Sequence, residues 1–200
     1  MLVIGLTGTI GSGKSTIASF MQEMGASVID TDEVGHKIYL PHTFGWQKVV
    51  EAFGISILTP NKSIDRQKLG EIVFNDSAAL KQLNDIVRPL ILESVKDTLK
   101  QLRHKNTDVV VIEAALLLEA SWESMMDEIW VTTAPENVLY ERLSIKRHLT
   151  ELQARQRIAA HLSTAQQIKY ATRVINTDLS LNELKAVVSS LWREVNQKGT

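Results

Sequence analysis

Apolar residues run unbroken through residues 2–6 and stop at glycines, a pattern that suits a strand buried on both faces of a parallel sheet. Ile17, Phe20, Met21 and Met24 then recur at helical spacing, with Gly25 as a C-terminal stop, so the chain opens as strand, loop, helix. Residues 27–29 end at Asp30-Thr31-Asp32, and residues 108–112 end at Glu113. These read as two more strands with acids at their carboxyl ends, where open α/β sheets place ligands. Residues 128–131 and 173–175 read as a fourth and fifth strand, the last leading into a helix with Leu181, Leu184, Val188, Leu191 and Val195 on one face. Five strands alternating with helices predict an α/β fold, a doubly wound five-stranded parallel sheet.

Two intervals exceed a simple crossover, and both look helical. Between the second and third strands, Leu80, Leu83, Ile86, Val87, Leu90, Ile91 and Val95 keep helical spacing, while Pro89 disfavours helical geometry at Arg88 and is expected to break or kink the run. Between the fourth and fifth, Pro135 starts a helix through Leu139 and Leu143, and Thr150-x-x-Gln153 has the form of a capping box. Both are expected to be helical insertions at the carboxyl edge of the sheet.

Composition narrows the chemistry. The 200 residues are 44% apolar and 22% charged with a net charge of −1, which suits one ordinary folded core and argues against disorder or a large nucleic-acid or anionic-membrane footprint. The absence of cysteine removes thiolate catalysis and Cys-ligated metal sites, leaving oxygen and nitrogen groups and metals held by them. The N-terminus lacks a basic segment before its short apolar run, and no apolar stretch approaches the ~20 residues that span a bilayer. The expectation is a cytoplasmic protein without a membrane or nucleic-acid partner, as a monomer or small homo-oligomer.

Gly8-Thr9-Ile10-Gly11-Ser12-Gly13-Lys14-Ser15 matches G-x-x-x-x-G-K-[ST] after a buried strand and at the start of a helix. The glycines let successive N–H groups face an anion, and the helix adds its positive end. Lys14 is expected on the β- and γ-phosphates of a nucleotide and Ser15 on Mg²⁺; the plain alternative is a glycine-rich turn with a solvated lysine. Asn61-Lys62-Ser63-Ile64 lacks the Asp of the guanine motif N-K-x-D and lies in the wrong place, which disfavours a GTPase. The third strand ends in Glu113 where motor and transporter ATPases usually carry Asp.

Asp30 and Asp32 are expected to point in different directions if the strand persists, one towards the loop and one capping the next helix. Asp32 is the candidate base for an acceptor hydroxyl, although both acids suit capping. Arg142, Lys146, Arg147, Arg155, Arg157, Lys169 and Arg173 stand against Glu151 alone, a local excess of +6. Such a segment can close over ATP as a lid or form a solvated helical hairpin. The histidines show no zinc spacing, and the four tryptophans read as packing.

These residues resemble those of the dephospho-coenzyme A kinase family over nearly the whole chain. Residues 5–15 are similar to its G-L-T-G-G-I-G-S-G-K-[ST], with Thr9 for a glycine, and Ile29-Asp30-Thr31-Asp32 to its V-D-A-D. Phe53-Gly54, residues 64–69, Val73-Phe74, residues 83–86, residues 116–119, Asp127, Arg142-Leu143 with Arg147, and Ala154 with Arg157-Ile158 follow in the family's order. Arg88, Glu113, Ala115 and His161 depart from its usual His, Asp, Pro and Gln. The resemblance implies a P-loop kinase that transfers the γ-phosphoryl of ATP to the ribose 3′-hydroxyl of dephospho-coenzyme A. Gly8, Gly11, Ser12, Gly13 and Lys14 would hold phosphates, Ser15 Mg²⁺, Thr16 the same site, and Asp32 the acceptor hydroxyl. Arg142 and Arg147 are the candidate lid arginines; Arg66 and Arg88 could meet acceptor phosphates or fix the insertion. The expected parts are a core of residues 1–32, 106–136 and 173–200, an acceptor-binding insertion of 33–105 and a lid of 137–172. A kinase for another small alcohol or nucleoside monophosphate, or a non-catalytic nucleotide-binding module, would share the loop.

Overall fold

The computed structural model describes residues 1–197; residues 198–200 of the expected core segment lie outside the described residues. The strands are β1 (Leu2–Gly8), β2 (Ser27–Asp30), β3 (Val109–Glu113), β4 (Glu128–Thr133) and β5 (Arg173–Asn176). The helices are α1 (Lys14–Glu23), α2 (Thr31–Ile38), α3 (Phe44–Phe53), α4 (Arg66–Asn75), α5 (Ser77–His104), α6 (Glu136–Arg147), α7 (Glu151–Ala159), α8 (Thr164–Ile168) and α9 (Leu181–Gln197). The chain forms two compact units, Asp30–Lys105 and, in the other, Met1–Ile29 with the chain from Asn106 onward.

The second of these holds the predicted five-stranded sheet, in the order β2-β3-β1-β4-β5. β1 pairs in parallel with β3, Leu6 opposite Glu113, and with β4, Gly8 opposite Thr132. β1 is central, which is why its sequence is apolar without alternation. Ile4, Leu6, Ile17, Met21, Val111, Trp130, Val188 and Trp192 are buried in one cluster, made by the sheet and the apolar faces of α1 and α9. Each fully buried side chain of this size contributes about 1.5–3 kcal/mol. Trp122, Trp130 and Trp192 are buried and Trp46 packs against a core cluster, as the packing reading expects.

The unit Asp30–Lys105 is mainly helical, with one antiparallel bridge between Leu58 and Ile64, around Val49, Ile57, Leu69, Val73 and Val87. Its helices start at capping side chains: Asp30 for α2, Thr43 for α3, Asp65 for α4 and Asp76 for α5. Two expectations are corrected. α5 does not break at Pro89 but runs through it for 28 residues, because the one lost backbone bond is outweighed by the flanking turns and the packing of α2, α3 and α4 on this helix. The extended geometry of β2 also stops at Asp30; Asp32 is already in the first turn of α2, so the two acids diverge through capping and not through strand alternation.

Candidate active site

The glycine-rich loop joins the end of β1 to the start of α1. Gly13 caps α1 with φ +86°, a left-handed conformation that favours glycine. A Cβ on Gly8 would lie 2.2 Å from Thr132 Oγ1 and 2.5 Å from the Thr132 carbonyl oxygen, so only glycine lets the loop leave the sheet so close to β4. Ser12 is fully buried, its Oγ 2.5 Å from Thr132 Oγ1, and its N–H donates to the Thr9 carbonyl. Lys14 Nζ donates to the carbonyls of Gly8 (2.8 Å) and Thr9 (3.2 Å), which fixes the ammonium across its own loop. Thr16 is half-buried in the same first turn of α1.

Ser15, exposed at the start of α1, donates its hydroxyl to Glu113 Oε1 at 2.6 Å. No motif in the sequence marks Glu113 for this site; the signal it carries is its place as the last residue of a buried strand. Two oxygen donors from different elements suit a hard divalent cation, so the residues present fit Mg²⁺. Asp30 spends its carboxylate on the N–H groups of Asp32 and Glu33. Asp32, in the next turn, is exposed to solvent.

The basic segment begins against the loop. Leu143 Cγ is 3.3 Å from where a Gly11 Cβ would sit, and Thr9 Oγ1 lies 3.4 Å from Thr164 Oγ1 on α8. Arg142 is anchored: its guanidinium donates to Thr177 Oγ1 (2.9 Å), the Thr177 carbonyl (2.7 Å) and the Gly11 carbonyl (3.4 Å). Arg155 pairs with Glu151 and stacks 4.7 Å over the Tyr140 ring, joining α7 to α6, and Arg173 pairs with Glu128 and Glu194. Arg147 and Arg157 stand exposed. Thr177, absent from the sequence reading, has its Oγ1 within 2.9 Å of the Ser12 carbonyl and 3.2 Å of the Thr133 carbonyl. Its contacts come from residues 35 to 165 positions away in the chain, so no local pattern could reveal it. Glu119 accepts from the Leu162 N–H at 2.9 Å and lies 3.9 Å from His161 Nδ1, and Asp127 accepts from the Val3 N–H. Both acids act as struts of the fold.

In the helical unit, Arg66 opens α4 and donates to His36 Nε2 at 2.6 Å. Tyr39 is mostly buried, and that burial pushes its phenol up to about 12 against the opposing charge of Arg66. Arg88 is half-buried on α5, just before Pro89.

The family model for dephospho-CoA kinase matches residues 2–183. A dephospho-CoA kinase of Moorella thermoacetica is 40% identical over 198 residues, 98% of this chain and 93% of the relative; one from Dehalococcoides mccartyi is 37% identical over 97% of this chain and 98% of the relative. A solved Thermus thermophilus structure superposes with a TM-score of 0.83 at 26% identity, covering 96% of this chain and 97% of that one. The agreement runs from the phosphate loop through the helical unit to α9, far beyond what a shared nucleotide loop would produce, and the chain belongs to the dephospho-CoA kinase family.

Proposed function

We propose that this protein transfers the γ-phosphoryl group of ATP to the ribose 3′-hydroxyl of dephospho-coenzyme A, releasing coenzyme A and ADP. The observation that carries this reading is an intact phosphate loop within a chain that matches dephospho-CoA kinases over nearly its full length. The loop residues Gly8, Gly11, Ser12 and Gly13 and the Lys14 ammonium hold the phosphates, with Thr16 at the same end of α1. Mg²⁺, when bound through Ser15, supplies charge neutralisation on the β- and γ-phosphates. Asp32 orients the acceptor hydroxyl and takes its proton; Asp30 can leave that role to it because its own carboxylate caps α2.

Residues 137–172 act as the lid. Arg142, bonded to the loop and to Thr177, fixes the base of that segment, and the exposed Arg147 reaches the nucleotide. Arg66 and Arg88 serve the acceptor in the insertion of 33–105, while 1–32, 106–136 and 173–200 carry the nucleotide. The same reading makes this a cytoplasmic enzyme with small-molecule partners and no nucleic-acid or membrane role, working as a monomer or small homo-oligomer.

Purified protein with Mg-ATP and dephospho-coenzyme A is expected to form coenzyme A and ADP in equal amounts; no product above background would remove the reading. Asp32→Asn is expected to lower kcat by about 10²–10⁴-fold without lowering the melting temperature. Unchanged turnover would exclude Asp32 as the base.

A further inference from the structure

The motif G-x-x-x-x-G-K-[ST] leaves the residue after its first glycine unrestricted, and this chain carries Thr9 there. Thr9 is 5% exposed and is not at positive φ, so its branched side chain is accommodated without backbone strain. Its carbonyl accepts from the Ser12 N–H at 3.0 Å and from Lys14 Nζ at 3.2 Å, which makes its peptide group a pivot for two of the loop's own donors. Its hydroxyl lies 3.4 Å from Thr164 Oγ1, 155 positions away in the chain. α8 offers that hydroxyl a firm partner. Ser163 caps the helix through a reciprocal box with Gln166. Leu162, just before, has both backbone groups held: its N–H donates to Glu119 Oε1 at 2.9 Å, and its carbonyl accepts at 2.9 Å from Nε2 of the fully buried Gln167. Thr164 therefore enters the contact on a fixed backbone.

Two other supports reach the loop farther along. Arg142 donates to the Gly11 carbonyl and Thr177 to the Ser12 carbonyl, so both act on the half of the loop that leads into α1. The Thr9–Thr164 contact acts on the half that leaves β1. A loop that wraps an anion binds it more tightly when it is held in shape before the anion arrives. We infer that Thr9, clasped to Thr164, is a positioning residue for the nucleotide. The clasp fixes the first half of the phosphate loop and, through the Thr9 carbonyl, the resting place of the Lys14 ammonium. It also ties the far end of the basic segment to the loop, as Arg142 ties the near end. The inference deepens the proposed function and rests on its nucleotide site. Thr9 acts through the loop and not on the reacting atoms, so its effect belongs to nucleotide affinity and not to the rate of transfer.

The test measures the Kd for Mg-ADP by titration calorimetry beside KM and kcat for ATP. Thr9→Val keeps the branched shape and removes the hydroxyl. It is expected to raise the Kd for ADP and the KM for ATP by about two- to tenfold, the range for one hydrogen bond, with kcat within about twofold of the parent. Thr164→Val should give the same loss from outside the loop, and it decides the question even if Thr9→Val fails to fold. The double variant should lose no more than the worse single variant, because both substitutions remove one contact. Thr9→Ser, which keeps the hydroxyl, should retain most of the parent affinity. Unchanged ADP affinity in Thr164→Val overturns the proposal, as do losses that multiply in full in the double variant. A loss that Thr9→Ser shares equally with Thr9→Val, or a fall in kcat at constant ADP affinity, overturns it too. A parent that binds ADP but forms no coenzyme A overturns the proposed reaction instead, and the calorimetric comparison still judges the clasp. A parent that binds no ADP overturns both.

Discussion

Thr177 is 1% exposed and its single hydroxyl lies at hydrogen-bond distance from Arg142 and from the carbonyls of Ser12 and Thr133. It therefore couples the phosphate loop to the base of the basic segment. Thr177→Val keeps the volume but leaves buried polar partners unmatched, which costs about 1–3 kcal/mol. The expected result is a lower urea midpoint together with a severalfold higher KM for ATP, both largely restored in Thr177→Ser. Tyr39 bears on pH. Burial holds its folded pKa at about 12, above the ordinary phenol value of about 10, so the folded state keeps a proton that the unfolded chain loses first. The stabilisation is complete below pH ~10 and disappears as the pH rises through ~12, an effect on the order of 2 kcal/mol. Tyr39→Phe is expected to flatten the fall in stability across that window, measured by urea melts at fixed pH.

At the scale of elements, α2 and α3 meet at a point with no spare room. A Cβ on Gly45 would lie 2.2 Å from Ile38 Cγ2 and 2.8 Å from the Ile38 carbonyl oxygen. The second contact is backbone and cannot rotate away. Gly45→Ala should therefore destabilise the helical unit by about 1–3 kcal/mol, seen as a lower urea midpoint, even though alanine is the better helix former. The α7 capping box is visible as Thr150-x-x-Gln153 in the sequence and recurs as a pair of reciprocal bonds. The equivalent box of α8, Ser163 with Gln166, opens only five residues of helix and offers no periodic apolar face to accompany it. α2, α3 and α4 escape periodicity for the same reason: each buries only two residues, too few to define a helical stripe.

Taken whole, the chain is nearly neutral at −1, but the stretch between Arg142 and Arg173 is strongly basic. Tertiary contacts divide that charge. Arg142, Arg155 and Arg173 are engaged within the fold, whereas Lys146, Arg147, Arg157 and Lys169 face solvent. Exposed cations attract a polyphosphate through a field that salt shortens from ~10 Å at 0.1 M to ~3 Å at 1 M. KM for ATP should rise severalfold over that range, and Arg147→Ala should both raise KM at low salt and flatten the dependence. A salt response equal in parent and variant would separate Arg147 from nucleotide binding. Among the described residues no helix is long and apolar enough to cross a membrane.

Contiguous patterns are enough to reveal the five parallel strands, the position of the phosphate loop and the family: an unbroken apolar strand, glycines at set spacing, a lysine opening a helix. Of the two acids after the second strand, one is expected to cap the next helix, and Asp30 does so. Which partners those residues take depends on contacts made across the fold. Glu113 meets Ser15, Arg142 meets Thr177 and Arg66 meets His36 across 98, 35 and 30 positions respectively, and a contact between distant segments leaves no spacing in the chain to read. Pro89 shows the converse: a strong local signal against helix, overruled because the packing of a long helix outweighs one missing hydrogen bond.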